Sequence, residues 1–166
     1  MNIDNTISSK LRDIKVICFD FDGVFTDNKV YTDQFGHETV CCNRSDGIGI
    51  SNLKKLGVKV YVVSTEKNRV VSMRCAKLKI ECFQAIEDKA EILLKISDNL
   101  SIPLENFAFV GNDINDLPAL KIVGMPIAVA DSFPTIFEFC SYITKKKGGS
   151  GAVREICDNF IIAKNK

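Results

Sequence analysis

The sequence predicts an α/β fold in which helices cover both faces of a Rossmann-like, doubly wound parallel sheet. Four short apolar runs, KVICFD, KVYVVS, NFAFVG and PIAVA, are typical of strands that are buried on both faces. Amphipathic segments lie between these runs, and this alternation indicates parallel strands joined by crossover helices. A chain of 166 residues can bury a sizeable core, so we expect one domain over residues 1–166.

Three segments have the spacing of apolar residues that predicts amphipathic helices. They are DGIGISNLKKLG at 46–57, KNRVVSMRCAKL at 67–78 and EDKAEILLKISDNL at 87–100. In the third segment, the predicted apolar side consists of Ala90, Ile92, Leu93, Leu94 and Ile96. A further amphipathic helix is expected at the end of the chain, after the glycine-rich stretch KKKGGSG. That stretch is either a plain connecting loop or a segment that reaches a site.

One segment interrupts the alternation of strands and helices. NKVYTD and TVCCN are both strand-like, and they flank QFGHE, a turn signal that contains Gly36. This pattern predicts a β-hairpin. We expect the hairpin, at 28–42, to project from the sheet rather than to join it.

Composition excludes several classes of function. The formal net charge is only +1, so nothing indicates a nucleic-acid-binding surface, and the apolar runs are too short to span a bilayer. The polar N-terminus has no signal-peptide core, and seven cysteines without a CxxC pair favour reduced thiols, so we expect a cytoplasmic protein without nucleic-acid or membrane partners. The single histidine, His37, lies in a predicted turn, and no histidine-based mechanism is indicated.

Polar side chains follow three of the predicted strands, at the edge of the sheet where ligands bind in such folds. They are Asp20 and Asp22 after the first strand, Ser64 and Thr65 after the second, Asn112, Asp113 and Asp116 after the third, and Lys89 at the start of the preceding helix. Each residue alone has an ordinary interpretation as a turn residue, a helix cap or a solvated charge. Their common location favours a single site.

The residue types at this edge suit phosphate chemistry with a magnesium ion. Mg²⁺ prefers oxygen ligands and keeps open positions for substrate phosphate, and its charge would compensate the buried carboxylates. Lys89 and Ser64 would hold phosphate oxygens. Phosphate-monoester hydrolysis is very slow without a catalyst, and a covalent aspartyl phosphate divides it into two easier steps. Asp20 would be the nucleophile, and Asp22 would be the general acid and then the general base.

The motifs DFDGVFTD, Ser64, Lys89 and GNDINDLPAL together resemble the four motifs of the haloacid dehalogenase superfamily of phosphatases. The resemblance implies the same roles for Asp20 and Asp22. It also implies that Mg²⁺ is held by the Asp20 carboxylate, the Asp22 carbonyl oxygen and Asn112, where an aspartate is common. An amide brings no negative charge, and Asp113 or Asp116 would offset that loss.

The segments RSDGIGI, IEDKAEIL and GGSGAVRE are similar to the small, capless phosphatases of this superfamily that act on 3-deoxy-D-manno-octulosonate 8-phosphate or on nine-carbon 2-keto-3-deoxy acid 9-phosphates. The resemblance implies lipopolysaccharide or sialic-acid biosynthesis and substrate contacts from Asp46, Gly47 and Arg154, although a surface role for Arg154 is also open. It further implies a homotetramer in which the hairpin covers the site of a neighbouring subunit.

Residues after the second motif bear on the choice of substrate. Glu66 and Lys77 match the pattern of the nonulosonate 9-phosphate phosphatases, in which these positions contact the sugar acid, and they favour the nine-carbon substrate. The alternative is that both are ordinary helix-face charges. Thr65 replaces a usual glycine beside the phosphate and is also expected to contact the substrate. A different function is also open, because the chain resembles the C-terminal module of sialic-acid cytidylyltransferases, which in some members is a non-catalytic oligomerisation module.

Overall fold

The computed structural model describes residues 4–165 and contains a six-stranded, fully parallel sheet. Its strands are β1 (Val16–Phe19), β4 (Lys59–Val63), β5 (Glu81–Phe83), β6 (Phe107–Gly111), β7 (Met125–Ala128) and β8 (Tyr142–Ile143). Their order across the sheet is β5-β4-β1-β6-β7-β8. The chain proceeds outward from β1 in one direction and then from β6 in the other, so the topological switch lies between these two strands. The predicted fold class is confirmed.

Helices cover both faces of the sheet. They are α1 (Asn5–Asp13), α2 (Ser45–Lys55), α3 (Val70–Leu78), α4 (Lys89–Leu100), α5 (Leu117–Leu120) and α6 (Ala152–Lys164), with 3₁₀ turns at Leu104–Asn106, Ile114–Asp116 and Pro134–Phe139. One apolar cluster joins the sheet to α1, α2, α3 and α6, and a second joins it to α4 and α5. Among residues 4–165 there is no cap domain.

Strand β1 shows why the sheet must be covered on both sides. Ile17 and Phe19 belong to one apolar cluster, whereas Val16 and Cys18 belong to the other. Successive side chains of a strand point to opposite faces, so a continuous apolar run requires two cores. The sequence pattern VICF therefore places this strand at the centre of the sheet.

Some elements were not apparent in the sequence. Helix α1 lies in the polar N-terminal segment; the Asp4 side chain accepts a hydrogen bond from the Thr6 amide at 2.7 Å, and Leu11 is buried. Strands β5 and β8 have only three and two residues, which is too short for a periodic pattern. The predicted apolar side of α4 is wrong at Leu94, which is 49% exposed, whereas Lys89 is only 1% exposed.

The predicted hairpin is present. Strands β2 (Tyr31–Thr32) and β3 (Glu38–Thr39) pair antiparallel and form a sheet of their own. Gly36 has a φ angle of 81° in the turn, a conformation that favours glycine. Val30, Tyr31 and Phe35 expose their apolar side chains.

The histidine lies on the surface as the sequence indicates, whereas the expectation of mostly buried thiols holds for only three of the seven cysteines. All seven cysteines are free, and Cys18, Cys75 and Cys157 are buried. His37 is exposed, with its Nδ1 atom 2.9 Å from Asp33 Oδ2. Within residues 4–165, no helix has the length and apolar character needed to cross a membrane.

Candidate active site

The predicted site residues meet at the carboxyl edge of β1, β4 and β6. Phe19 pairs with Val62 on one side and with Val110 on the other, so the residues that follow these strands lie side by side. The Asp20 amide continues the ladder by donating to the Val110 carbonyl at 2.8 Å. This edge next to the topological switch is where open parallel sheets bind ligands.

Lys89 links two carboxylates in the interior. Its Nζ atom lies 2.8 Å from Asp20 Oδ1 and 2.6 Å from Asp116 Oδ1, and its side chain has no exposed surface. Burial by itself lowers the pKa of Lys89, but the charges of Asp20 and Asp116 raise the pKa above its ordinary value. Lys89 is therefore a permanent cation between two acids.

Asp20 is almost completely buried. Its Oδ1 atom accepts a hydrogen bond from the Phe21 amide at 2.7 Å in addition to the contact with Lys89. Burial and then the charge of Asp116 raise the pKa of Asp20 to about 7, although Lys89 acts in the opposite direction. A further cation at this carboxylate would therefore favour its ionised form.

Asp116 orients Lys89. Its Oδ2 atom accepts hydrogen bonds from the Asn112 amide at 2.8 Å and from the Asp113 amide at 3.3 Å, while its Oδ1 atom contacts Lys89. A Cβ atom at Gly111 would lie 2.5 Å from Asp116 Oδ2, so only glycine fits at the end of β6. Sequence reasoning placed Asp116 in the acidic cluster but missed its contact with Lys89.

Asp22 has the environment of a group that changes its protonation state. Its Oδ1 atom accepts a hydrogen bond from the Thr26 hydroxyl at 3.4 Å. Burial, followed by the charge of Glu66, raises the pKa of Asp22. General acids and bases work best when their pKa is moved toward the operating pH. Thr26 was not identified from the sequence.

Three oxygen atoms converge in a way that suits a cation. The side-chain amide of Asn112 lies 3.0 Å from the Asp22 carbonyl oxygen and 3.3 Å from Asp20 Oδ2, where its nitrogen would donate hydrogen bonds to both. With the amide reversed, the Asn112 oxygen would face the other two oxygens, and Mg²⁺ takes carboxylate, carbonyl and amide oxygens. The donors present therefore fit Mg²⁺. Within residues 4–165, no three His, Cys, Asp or Glu side chains are grouped so that they could hold a metal ion, so the proposed site depends on the carbonyl and amide oxygens as well.

A small cleft of about 100 Å³ opens over these oxygens. It is lined by Asp20, Asp22, Asn28, Thr65, Asn112, Asp113 and Asn115. The predicted ligand Asp113 lines the cleft and accepts a hydrogen bond from the Ile114 amide at 2.7 Å. Ser64 is buried at the end of β4, and its hydroxyl oxygen accepts from the Glu66 amide at 3.1 Å, which leaves the hydroxyl proton available for donation.

The predicted substrate-binding residues lie in several places within the chain. Thr65 lines the cleft of Asp20, and the Glu66 carboxylate accepts from the Lys67 and Asn68 amides at 2.6 and 2.7 Å while acting on Asp22. Gly47 and Lys77 line a neighbouring cleft together with Arg44 and Arg74.

Two further predicted residues lie around α6. Arg154 lines a third cleft and pairs with Asp158 at 2.8 Å. Asp46 is buried and accepts from the Arg154 amide at 3.2 Å. Within one chain, the cleft that contains Asp20 is not lined by Asp46, Gly47, Glu66, Lys77 or Arg154, and their contacts with substrate stay predictions.

A comparison with protein family models shows which family the chain belongs to. A family model described as haloacid dehalogenase-like hydrolase matches residues 64–156. The chain belongs to this family. Several of its members are similar over nearly their whole length, and they are phosphatases. The resemblance to the capless phosphatases of the family is therefore confirmed.

Three similar haloacid dehalogenase-like hydrolases illustrate the kinship. The 3-deoxy-D-manno-octulosonate 8-phosphate phosphatase of Escherichia coli (strain K12) is 34% identical over 96% of this chain and 86% of its own length. The crystal structure of the Moraxella catarrhalis enzyme of the same name, in complex with magnesium, phosphate and KDO, has a TM-score of 0.94 at 32% identity and covers 98% of this chain and 94% of its own. A cobalt-bound phosphatase from Haemophilus influenzae has a TM-score of 0.89 at 30% identity and covers 95% and 92%.

Proposed function

We propose that this protein is a magnesium-dependent phosphomonoesterase that hydrolyses the phosphate ester of a 2-keto-3-deoxy sugar acid. The observation that carries the proposal is the cluster of Asp20, Lys89 and Asp116 directly below a cleft that Asp22 also lines. The names of the similar phosphatases support the substrate class. Magnesium in the Moraxella catarrhalis structure supports the metal.

In the first chemical step, the Asp20 carboxylate attacks phosphorus and the ester oxygen leaves with its bonding electrons. Asp22, in its acid form, gives the leaving oxygen a proton, which produces the free sugar acid and an aspartyl phosphate. In the second step, the Asp22 carboxylate takes a proton from water as that water attacks phosphorus. The Asp20–phosphorus bond then breaks, and inorganic phosphate is released with both aspartates in their starting states.

The remaining residues bind and orient. Lys89 and the Ser64 hydroxyl hold phosphoryl oxygens, and Asp116 keeps Lys89 in place. Asp20, the Asp22 carbonyl and Asn112 would hold Mg²⁺, with Asp113 at the rim. When bound, the ion neutralises negative charge on the phosphoryl group.

We favour the nine-carbon substrate because Glu66 and Lys77 match the pattern of the nonulosonate 9-phosphate phosphatases. Lys77 would pair with the carboxylate of the sugar acid. The eight-carbon substrate is the second candidate, because the similar enzymes are named for it. Phosphate release from nonulosonate 9-phosphate and from 3-deoxy-D-manno-octulosonate 8-phosphate, compared at equal concentration with Mg²⁺, distinguishes the two. Preference for the eight-carbon ester would make Glu66 and Lys77 ordinary surface charges.

The nucleophile is tested by Asp20→Asn. We expect this variant to lose turnover while it keeps the circular dichroism spectrum of the native protein, because an amide is a poor nucleophile. Asp98→Asn, on the exposed side of α4, is the matched control. Full activity in Asp20→Asn would refute the mechanism, and a native protein inactive on every sugar-acid phosphate would favour the non-catalytic module.

A homotetramer fits the distribution of the predicted binding residues. The exposed apolar residues of the hairpin, Val30, Tyr31 and Phe35, would cover the cleft of a neighbouring subunit. Residues that line other clefts of the chain, such as Lys77 and Arg154, would then lie near subunit boundaries. Sedimentation equilibrium gives the oligomeric state directly, and a monomer at working concentration would refute this assembly.

A further inference from the structure

We propose that the glycine loop (residues 145–151) sets the position of the acid/base residue Asp22, and that Glu155 is the positioning residue that anchors this loop. The inference rests on the proposed function of Asp22 and adds a second segment of the chain to those that position the catalytic residues. None of these loop residues lines the cleft of Asp20. They act through the backbone of the catalytic loop (residues 20–27).

The two loops meet backbone to backbone. A Cβ atom at Gly148 would lie 1.8 Å from the Gly23 carbonyl oxygen and 3.0 Å from the Thr26 carbonyl oxygen. The Gly149 amide donates to the Val24 carbonyl at 3.1 Å, and a Cβ atom there would lie 2.5 Å from the Asp27 nitrogen. Because no side chain fits between the loops, a displacement of one is passed directly to the other.

The contacted residues are those that hold Asp22. Gly23 directly follows the Asp22 carbonyl, and its own amide donates to the Thr26 hydroxyl oxygen at 3.1 Å. That hydroxyl in turn donates to Asp22 Oδ1 at 3.4 Å and accepts from the Asn28 amide at 3.2 Å. Displacement of Gly23 or Thr26 therefore moves both the carboxylate that transfers protons and the carbonyl proposed to bind metal.

Glu155 ties the glycine loop to a rigid helix. It lies in the first turn of α6, is only 7% exposed, and its carboxylate accepts from the Lys145 amide at 2.9 Å, the Lys146 amide at 2.8 Å and the Tyr142 hydroxyl at 2.6 Å. Asp131 adds a second anchor, since its Oδ1 atom accepts from the Gly148 amide at 2.9 Å. These bonds satisfy a charge whose burial would otherwise be costly.

The direct test is Gly148→Ala, which inserts a methyl group against the Gly23 carbonyl. We expect kcat to fall by about 100-fold, the effect of a misplacement of about 1 Å in a catalytic group, while KM changes little. Gly57→Ala is the control for a loss of stability without a clash, because a Cβ atom there meets no atom within 4 Å while its φ of 78° strains an alanine, a strain that Gly148→Ala does not carry. It should melt at a lower temperature and keep its kcat.

A burst experiment separates positioning from a loss of folded protein. With p-nitrophenyl phosphate the leaving group needs no proton, so at a Mg²⁺ concentration that saturates the variant, attack by Asp20 should stay fast in Gly148→Ala while the Asp22-assisted hydrolysis of the aspartyl phosphate slows. We expect a burst of nitrophenolate at the native rate and with at least the native amplitude, followed by a steady state lowered as much as kcat. A burst amplitude that falls in step with the steady state would show inactive molecules and overturn the proposal.

Variants of Glu155 test the anchor in a second way, which also applies if Gly148→Ala does not fold. Glu155→Gln keeps an acceptor oxygen and should retain kcat within about threefold, whereas Glu155→Ala should lose roughly tenfold, with the same burst signature. Native kcat in Glu155→Ala would overturn the role of Glu155. An inactive native protein would instead refute the proposed function, so the two failures are distinguishable.

Discussion

Two groups of buried charged side chains in this protein differ in how many of their polar atoms have hydrogen-bond partners within the chain. In the catalytic cluster, Lys89 contacts both Asp20 and Asp116, and each carboxylate also accepts from a backbone amide. Around Asp46, by contrast, the Asp46 Oδ2 and Arg74 Nε atoms are buried without a hydrogen-bond partner among residues 4–165. Buried polar atoms are normally paired. The catalytic cluster therefore finds its hydrogen-bond partners within the chain, whereas the group around Asp46 leaves two polar atoms without one.

This difference matches the proposed roles of the two groups, which are chemistry for the first and binding of the sugar acid for the second. The reaction centre lies at strand ends whose spacing is set by the sheet, and it needs no other molecule to be positioned. The predicted sugar-acid contacts at Asp46, Gly47, Lys77 and Arg154 lie outside that centre, where substrate or a neighbouring subunit would complete them.

Removing the central cation should be the most damaging change. Lys89→Met leaves Asp20 and Asp116 buried together without their partner, so we expect activity to disappear and the free energy of unfolding to fall by about 3–5 kcal/mol. Urea denaturation and phosphate release measure both effects. Lys95→Met is the control, because Lys95 pairs with Glu91 at 2.6 Å on the surface and such a pair contributes at most about 0.5 kcal/mol. Equal losses in the two variants would mean that the buried cluster contributes no more to activity and stability than a surface ion pair.

Asp46 should make stability depend on pH. Burial raises the pKa of Asp46 to about 6, so this residue favours the folded state below about pH 4 and loses that contribution as the pH rises to about 6. Relative to the native protein, Asp46→Asn should therefore gain up to about 3 kcal/mol between pH 4 and pH 7. Urea denaturation across this range measures the gain, with Asp98→Asn as control. A difference that does not change with pH would show that Asp46 is satisfied after all.

Asn112→Asp should strengthen magnesium binding. The change adds a negative charge next to Asp20 and Asp22, so we expect about tenfold tighter binding by calorimetry and a lower melting temperature in the presence of a chelator. Asn115 lines the same cleft, but it is Asn112 that contacts Asp20 and Asp22. Asn115→Asp should therefore change magnesium affinity less. Weaker binding in Asn112→Asp would place the metal elsewhere.

The smallest effect on stability is expected at the hairpin. Phe35 is 76% exposed, so Phe35→Ser should change the free energy of unfolding of the chain by less than about 0.5 kcal/mol. If the hairpin covers a neighbouring cleft, the same variant should weaken the oligomer and raise KM. Sedimentation and steady-state kinetics measure both, and Leu94→Ser on α4 is the control. An unchanged oligomer and an unchanged KM would exclude Phe35 from the interface.

Local sequence patterns were sufficient for much of the fold. Apolar runs such as VICF predicted the central strands, because a strand buried on both faces must be apolar throughout. Helix α4 and the hairpin followed from periodicity and from a turn residue. The short edge strands were missed because two or three residues are too few to show a periodic pattern. Helix α1 was missed because its sequence is polar, and only its packing against α6 distinguishes it from a loop.

Sequence alone determined which residues would follow the central strands, and therefore that Asp20, Asp22, Ser64 and Asn112 share one edge of the sheet. Only the tertiary structure decided the contacts across the chain: Asp116 with Lys89, the Asn112 amide against Asp22, and Gly148 against Gly23. Periodicity reports which side of an element is buried. It carries no information about which distant element approaches that side, because strand order and loop packing set those distances.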